Sequence, residues 1–349
     1  MKKKLLFLLS VVLVFSLASF GLIAVSQKQD MEAKEDTKHI VTSFYPVYIL
    51  TKNLTQGTEG ILVKNLTENH AGCLHDYTLT TKDMKLLEQA DLVVLNGGGM
   101  EYFLEELLHE KEAHWNVVDA SEGLMLLDGV SHMHGEETGV HEGESKQTDG
   151  EVVDAHEEEL EQIDGEIADV HKGEIEHSHG EKNAHVWMNV DQYGKQVDTI
   201  CEALKAFDPA QKQIYEKNAM QYKEKLMKVQ EKKSELLYYT SGMEVIIFHD
   251  AFAYFSQMLN MEVIHSLSLD EDTALSAGEL AEVIEEVKLH QIPYLFVEEA
   301  YVQTAEIVAA ETGAEVVCLN PMTQGEDVLT AYVDMMLENL YILEEKLKK

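Results

Sequence analysis

A chain of 349 residues can bury a sizeable core, and at roughly 100–200 residues per domain it divides more naturally into two units than one. Its 64 acids face 27 bases with no arginine among them, for a formal net charge of -37. That balance disfavours nucleic acid and other phosphate-rich partners and favours cations.

Lys2, Lys3 and Lys4 precede an apolar run from Leu5 to about Val25, with small residues such as Ala24 and Ser26 at its end. This pattern predicts an export segment over 1–27, followed by a linker over 28–38, and an extracytoplasmic protein at the cell surface or in a periplasm. The run approaches the roughly 20 residues that span a bilayer, so the segment is either a cleaved signal peptide or a retained N-terminal anchor. No cysteine follows it to carry a lipid. Cys73, Cys201 and Cys318 are widely spaced without a C-x-x-C pair, which argues against a disulfide framework.

From His39 onward, apolar runs alternate with helical patterns. Ile40–Ser43, Ile61–Leu66, Leu92–Asn96 and Trp115–Asp119 read as strands, with helices over Pro46–Leu54, Thr81–Gln89 and Met100–His109. This βα alternation predicts a parallel sheet covered on both faces. Asn96 to Gly99 form a glycine-rich turn without a phosphate-cradling lysine or G-x-G-x-x-G spacing, hence a tight strand-to-helix turn.

The stretch 131–183 departs from this rhythm. It carries His132, His134, His141, His156, His171, His177 and His179 among 17 acids and three lysines, with few large apolar residues. It is too polar to build a core and is expected to be a disordered acidic insert that gathers divalent metal weakly or acts only as a spacer.

Beyond the insert, Asp191–Ala206 has helical spacing. Asp208 and Pro209 then provide an N-cap and first position for a helix of about eight turns, whose stripe runs through Tyr215, Ala219, Tyr222, Leu226, Val229 and Leu236. A second βα series follows, with strands at Val245–Phe248, Glu262–Ser266, Tyr294–Val297 and Glu315–Leu319. Ser276 with Glu279 forms a capping box, Gly313 stops a helix, and Val328–Leu347 closes the chain. The expected organisation is a first lobe over 39–208 that includes the insert, a linking helix over 209–238, and a second lobe over 239–349.

In open α/β sheets, ligands bind beyond the carboxyl ends of the strands. His75 lies in the connection after the second strand, His249 follows the strand ending at Phe248, Glu298 follows Val297, and His185 precedes the helix that leaves the first half. Three imidazoles and one carboxylate are sufficient donors for tetrahedral zinc, Zn2+.

These stretches resemble the substrate-binding proteins of zinc ABC transporters, the ZnuA type. The matching residues are Ser43-Phe44-Tyr45-Pro46, Gly72-Cys73-Leu74-His75-Asp76-Tyr77, Asp91 to Gly97 with Gly99-Met100-Glu101, His185-Val186-Trp187-Met188, Phe248 to Phe252 with Tyr254-Phe255, and Phe296-Val297-Glu298. The resemblance implies two similar α/β lobes joined by a long rigid helix, with one metal in the cleft between them. His75 and His185 would come from the first lobe, and His249 with Glu298 from the second; Glu299 or a water are the alternatives to Glu298.

It also implies a monomeric receptor, not an enzyme, that delivers Zn2+ to a membrane permease. The manganese-binding sister group carries a carboxylate in place of His249, and a third imidazole favours zinc over harder manganese. The alternatives are a manganese receptor or surface adhesin of the same fold, and a zinc hydrolase, for which no H-E-x-x-H helix is present. Two features depart from the family pattern: the absent lipid-bearing cysteine, and Gly72-Cys73-Leu74 before the first ligand, where Cys73 is a small thiol two residues from His75.

Overall fold

The computed structural model describes residues 37–68, 70, 72, 74, 77–109, 115–129, 182–267 and 275–348. The export segment 1–27, most of the linker, and the insert up to 181 lie outside the described residues. So do Cys73, His75 and Asp76.

The first half holds β1 (Lys38–Thr42), α1 (Tyr45–Leu54), β2 (Ile61–Asn65), α2 (Thr81–Leu87), β3 (Leu92–Leu95), α3 (Glu105–His109) and β4 (Asn116–Asp119). α4 (Val190–Phe207) follows the insert, then the long α5 (Lys212–Thr240). The second half holds β5 (Glu244–Ile247), α6 (Ala251–Met258), β6 (Glu262–Ser266), α7 (Ala277–His290), β7 (Tyr294–Val297), α8 (Val302–Thr312), β8 (Glu315–Cys318) and α9 (Ala331–Leu347).

The strands form two all-parallel sheets of the same order, β2-β1-β3-β4 and β6-β5-β7-β8. In each, the chain goes outward from the first strand to the second and then crosses back to pair the third on the first strand's other side. The carboxyl ends of β1 and β3, and of β5 and β7, are therefore the two places where the winding reverses and a crevice opens.

Alternation along the strands decides which core each side chain joins. Ile40, Leu92, Val94, Val245, Ile247 and Phe296 belong to one large shared core with α1, α4, α5, α6 and α9. Val41, Val93 and Leu95 join an outer cluster with Leu87, whereas Ile246, Leu295 and Val297 join another with Val283 and Val308.

The helix α5 has 29 residues, about 43 Å at 1.5 Å per residue. Its buried stripe includes Tyr215, Tyr222, Leu226, Val229 and Leu236, each worth roughly 1.5–3 kcal/mol of burial. Lys232 joins the stripe because its ammonium reaches Glu344 of α9 at 2.7 Å. Tyr193 of α4 stacks on Tyr332 of α9 at 3.6 Å between centroids and donates to the Pro46 carbonyl, fastening helices from both halves. Among the described residues no helix is long and apolar enough to cross a membrane.

The helix starts depart from the sequence-based expectation in two places. Pro209–Gln211 is a 3-10 turn, so α5 begins at Lys212. Asp208 makes no side-chain cap; its carboxylate instead accepts from Lys38 at 2.9 Å, Gln211 at 2.6 Å and Tyr215 at 3.1 Å. Met100–His109 is likewise a 3-10 turn over Tyr102–Leu104 followed by the short α3, because Glu101 folds back onto the end of β3. The capping box of Ser276 and Glu279 and the left-handed stop at Gly313 both form.

Candidate metal centre

His249 and Glu298 stand at the reversal point of the second sheet. His249 sits two residues past β5, and Glu298 immediately follows β7 and leads into a 3-10 turn. Because β5 and β7 are hydrogen-bonded neighbours, the two side chains meet, with His249 Nδ1 3.6 Å from Glu298 Oε1. Glu299 enters the turn and is exposed, whereas the Glu298 side chain is 17% exposed. Asp250 faces away toward β6, where its carboxylate accepts from Ser266 Oγ at 2.6 Å.

His185 arrives from the first half, at the head of a 3-10 turn over Val186–Met188. Its ring meets that of His249 edge-on, with centroids 5.0 Å apart and an interplanar angle of 83°. The turn is held on several sides. Trp187 packs edge-on against Phe44, donates to the Pro321 carbonyl at 2.9 Å, and has its own carbonyl capped by the Tyr332 hydroxyl at 2.7 Å. Both imidazoles are buried, His185 at 2% and His249 at 7% exposure.

His185, His249 and Glu298 are thus brought together pairwise through His249. Among the described residues no group of three such donors closes to metal-binding distances. His75 lies outside the described residues, between the buried Leu74, which joins the shared core, and Tyr77, whose hydroxyl donates to Asp83 at 2.8 Å. Cys318 ends β8 near the same edge. Burial, then the Glu299 and Glu298 carboxylates, push its thiol up, so it is held as a thiol and not as a reactive thiolate.

The reversal point of the first sheet is filled differently. Glu101 is buried and accepts from Ser43 Oγ at 2.6 Å, from the Asn96 amide at 2.7 Å and from the Gly97 amide at 3.0 Å. Burial pushes its carboxyl up to about 7 despite these three donors, and Asp119 adds repulsion. Gly97, at φ +82°, lies so close to Asp119 that a Cβ would sit 1.7 Å from the carboxylate oxygen. Asn96 then donates to the Ala184 carbonyl at 2.8 Å, one residue before His185. No lone motif announced this network; its signal was a buried-strand end followed by a glycine turn and a carboxylate five residues on.

Asn183 was also missed, since it ended the polar stretch assigned to the insert. It is buried, the described chain resuming at Lys182 with Lys182 paired to Asp128 in an antiparallel bridge. Its side-chain oxygen meets both the His185 amide at 3.0 Å and His185 Nδ1 at 2.9 Å.

Several known proteins are similar to this chain. The zinc-uptake system protein ZnuA of Bacillus subtilis is 29% identical over 347 residues, covering 95% of each chain. The Zn(II)-bound AdcA of Streptococcus pneumoniae superposes with a TM-score of 0.66 at 25% identity, covering 90% of this chain but only 58% of AdcA. The Mn2+ complex of FpvC from Pseudomonas aeruginosa gives a TM-score of 0.65 at 19% identity over 89% of this chain and 98% of that one, a likeness of fold alone. Residues 40–346 match the family model described as zinc-uptake complex component A, periplasmic, or ZnuA, and the chain belongs to that family.

Proposed function

We propose that this protein is an extracytoplasmic receptor that captures Zn2+ between its two lobes and hands it, without chemical turnover, to an ABC transporter permease. The observation that supports this most is the meeting of His185 from the first half with His249 and Glu298 at the reversal point of the second sheet. In this reading His75 completes a set of three imidazoles and one carboxylate. Such a donor set suits zinc, whereas manganese prefers oxygen ligands. The half-buried position of Glu298 beside His249 favours it over the exposed Glu299 as the fourth donor. The receptor works as a monomer with lobes over 39–208 and 239–349, joined by the rigid linking helix of 209–238, and reaches its compartment through the segment 1–27.

Capture at this site consists of exchanging the ion's water shell for fixed imidazole nitrogens and one carboxylate, and release requires those donors to separate or protonate. Competitive zinc and manganese titration with metal counting tests the reading on the intact protein, on a deletion of 131–181, and on His249→Ala. One tight zinc is expected that prefers zinc over manganese, survives the deletion, and weakens by ~100-fold or more in His249→Ala. Loss of the tight site on deleting the insert would show that the ligands have been misassigned.

A further inference from the structure

The residue that joins the metal centre to both lobes is Asn183. Its backbone amide donates to the Leu127 carbonyl at 2.8 Å, and its carbonyl accepts from the Tyr254 hydroxyl at 2.8 Å. That hydroxyl in turn accepts from the Leu127 amide at 2.9 Å. The side-chain nitrogen donates to the Asp250 carbonyl at 2.8 Å, one residue past His249. The side-chain oxygen meets the His185 amide and His185 Nδ1.

Two of these contacts orient the carboxamide without ambiguity. A backbone N–H can only donate, so the atom opposite the His185 amide is the oxygen; a backbone carbonyl can only accept, so the atom opposite Asp250 is the nitrogen. An oxygen so placed has only lone pairs to offer His185 Nδ1, so that nitrogen carries the proton. Neutral His185 therefore keeps its lone pair on Nε2.

We infer that Asn183 is a positioning residue for metal capture: its oxygen fixes His185 in the Nδ1–H tautomer with Nε2 as the donor, and its nitrogen clasps the second lobe beside His249. The inference rests on the zinc-receptor reading above. An outer partner that orients an imidazole in this way is worth about 10- to 100-fold in metal affinity.

The two roles separate by substitution. Asn183→Ala removes both. Asn183→Asp keeps an oxygen for the His185 amide and Nδ1–H but sets a second oxygen against the Asp250 carbonyl, so it preserves the tautomer and loses the clasp. The experiment is 15N-detected histidine NMR of the metal-free protein, with zinc competition titration on wild type and both variants.

Wild type is expected to show His185 protonated at Nδ1, Asn183→Ala a spectrum shifted toward Nε2–H with zinc bound about 10- to 100-fold more weakly, and Asn183→Asp a restored Nδ1–H signal with most of the affinity regained. A side chain that merely packs would lower thermal stability without moving the ring nitrogens. Wild-type His185 protonated at Nε2 overturns the inference even if Asn183→Ala does not fold. An Asn183→Ala protein with an unchanged spectrum and zinc affinity within twofold overturns it as well. An Nδ1–H signature in a wild type that binds no zinc tightly would sink the receptor reading instead and uphold the tautomer assignment.

Discussion

The two sheets have the same strand order and reverse their winding at equivalent places, yet the two crevices are lined by different chemistry. Beyond β1 and β3 the space is occupied by Glu101, stitched to Ser43, Asn96 and Gly97. Beyond β5 and β7 the corresponding positions hold His249, which meets the His185 ring, and Glu298, which approaches His249. Equivalent topology therefore carries different chemistry according to the side chains that follow each strand: a buried carboxylate held by donors in one half, an imidazole beside a carboxylate in the other. The first lobe's crevice is taken up by this network, and the first-half imidazole that meets His249 comes instead from the chain that follows the insert.

Five substitutions test this contrast. The largest effect is expected at Gly97, where an added methyl meets Asp119 and the backbone sits at φ +82°. Gly97→Ala should lose about 4 kcal/mol of stability, read by denaturant unfolding, because strain and overpacking add. If it folds normally, the first crevice is not a tight structural joint.

Glu101 comes next. Its ordinary carboxyl value of 4.5 is raised to about 7 on folding, so the folded state binds the extra proton. Stability from this group is then greatest below pH 4.5 and is lost as pH rises through 7, on the order of 3 kcal/mol. Glu101→Gln puts an N–H against a backbone N–H and should be less stable at low pH, but the wild-type-minus-variant difference should shrink across that window. A difference independent of pH would mean that Glu101 is charged throughout.

The second crevice should respond in binding and not in folding. His249→Asp replaces a nitrogen by oxygen donors and should weaken zinc by ~100-fold while narrowing the preference over manganese, with unfolding little changed. The smallest effect separates two neighbours: Glu298→Gln should weaken zinc about 10-fold and Glu299→Gln less than twofold, since only Glu298 approaches His249. The reverse order would move the fourth donor to Glu299.

Much of this was legible in the sequence because strand ends are read from simple patterns. Apolar runs such as 245–248 and 294–297 mark buried parallel strands, and His249 and Glu298 follow them directly, so chemistry and topology coincide within two residues. The break at Glu101 was not legible, since Met100–His109 has good helical composition. The Ser43 hydroxyl and the Asn96 and Gly97 amides, brought near by the turn, hold that side chain out of the helix. Asp208 misled for a related reason: Lys38, 170 residues away, competes for its carboxylate. Asn183 carried no local signal, because all its partners except His185 lie more than 50 residues away in the chain.

The bridge between Asp128 and Lys182 brings two chain ends side by side, and its exposed ion pair, with side chains 86% and 50% accessible, contributes little energy. Its value is architectural. A loop anchored at one fixed gap loses only about 0.6 kcal/mol more closure entropy each time its length doubles. Asp128 and Lys182 thus set a fixed gap at the edge of the folded body, and a reporter or affinity tag whose own ends match that gap is expected to be carried there without disturbing the fold.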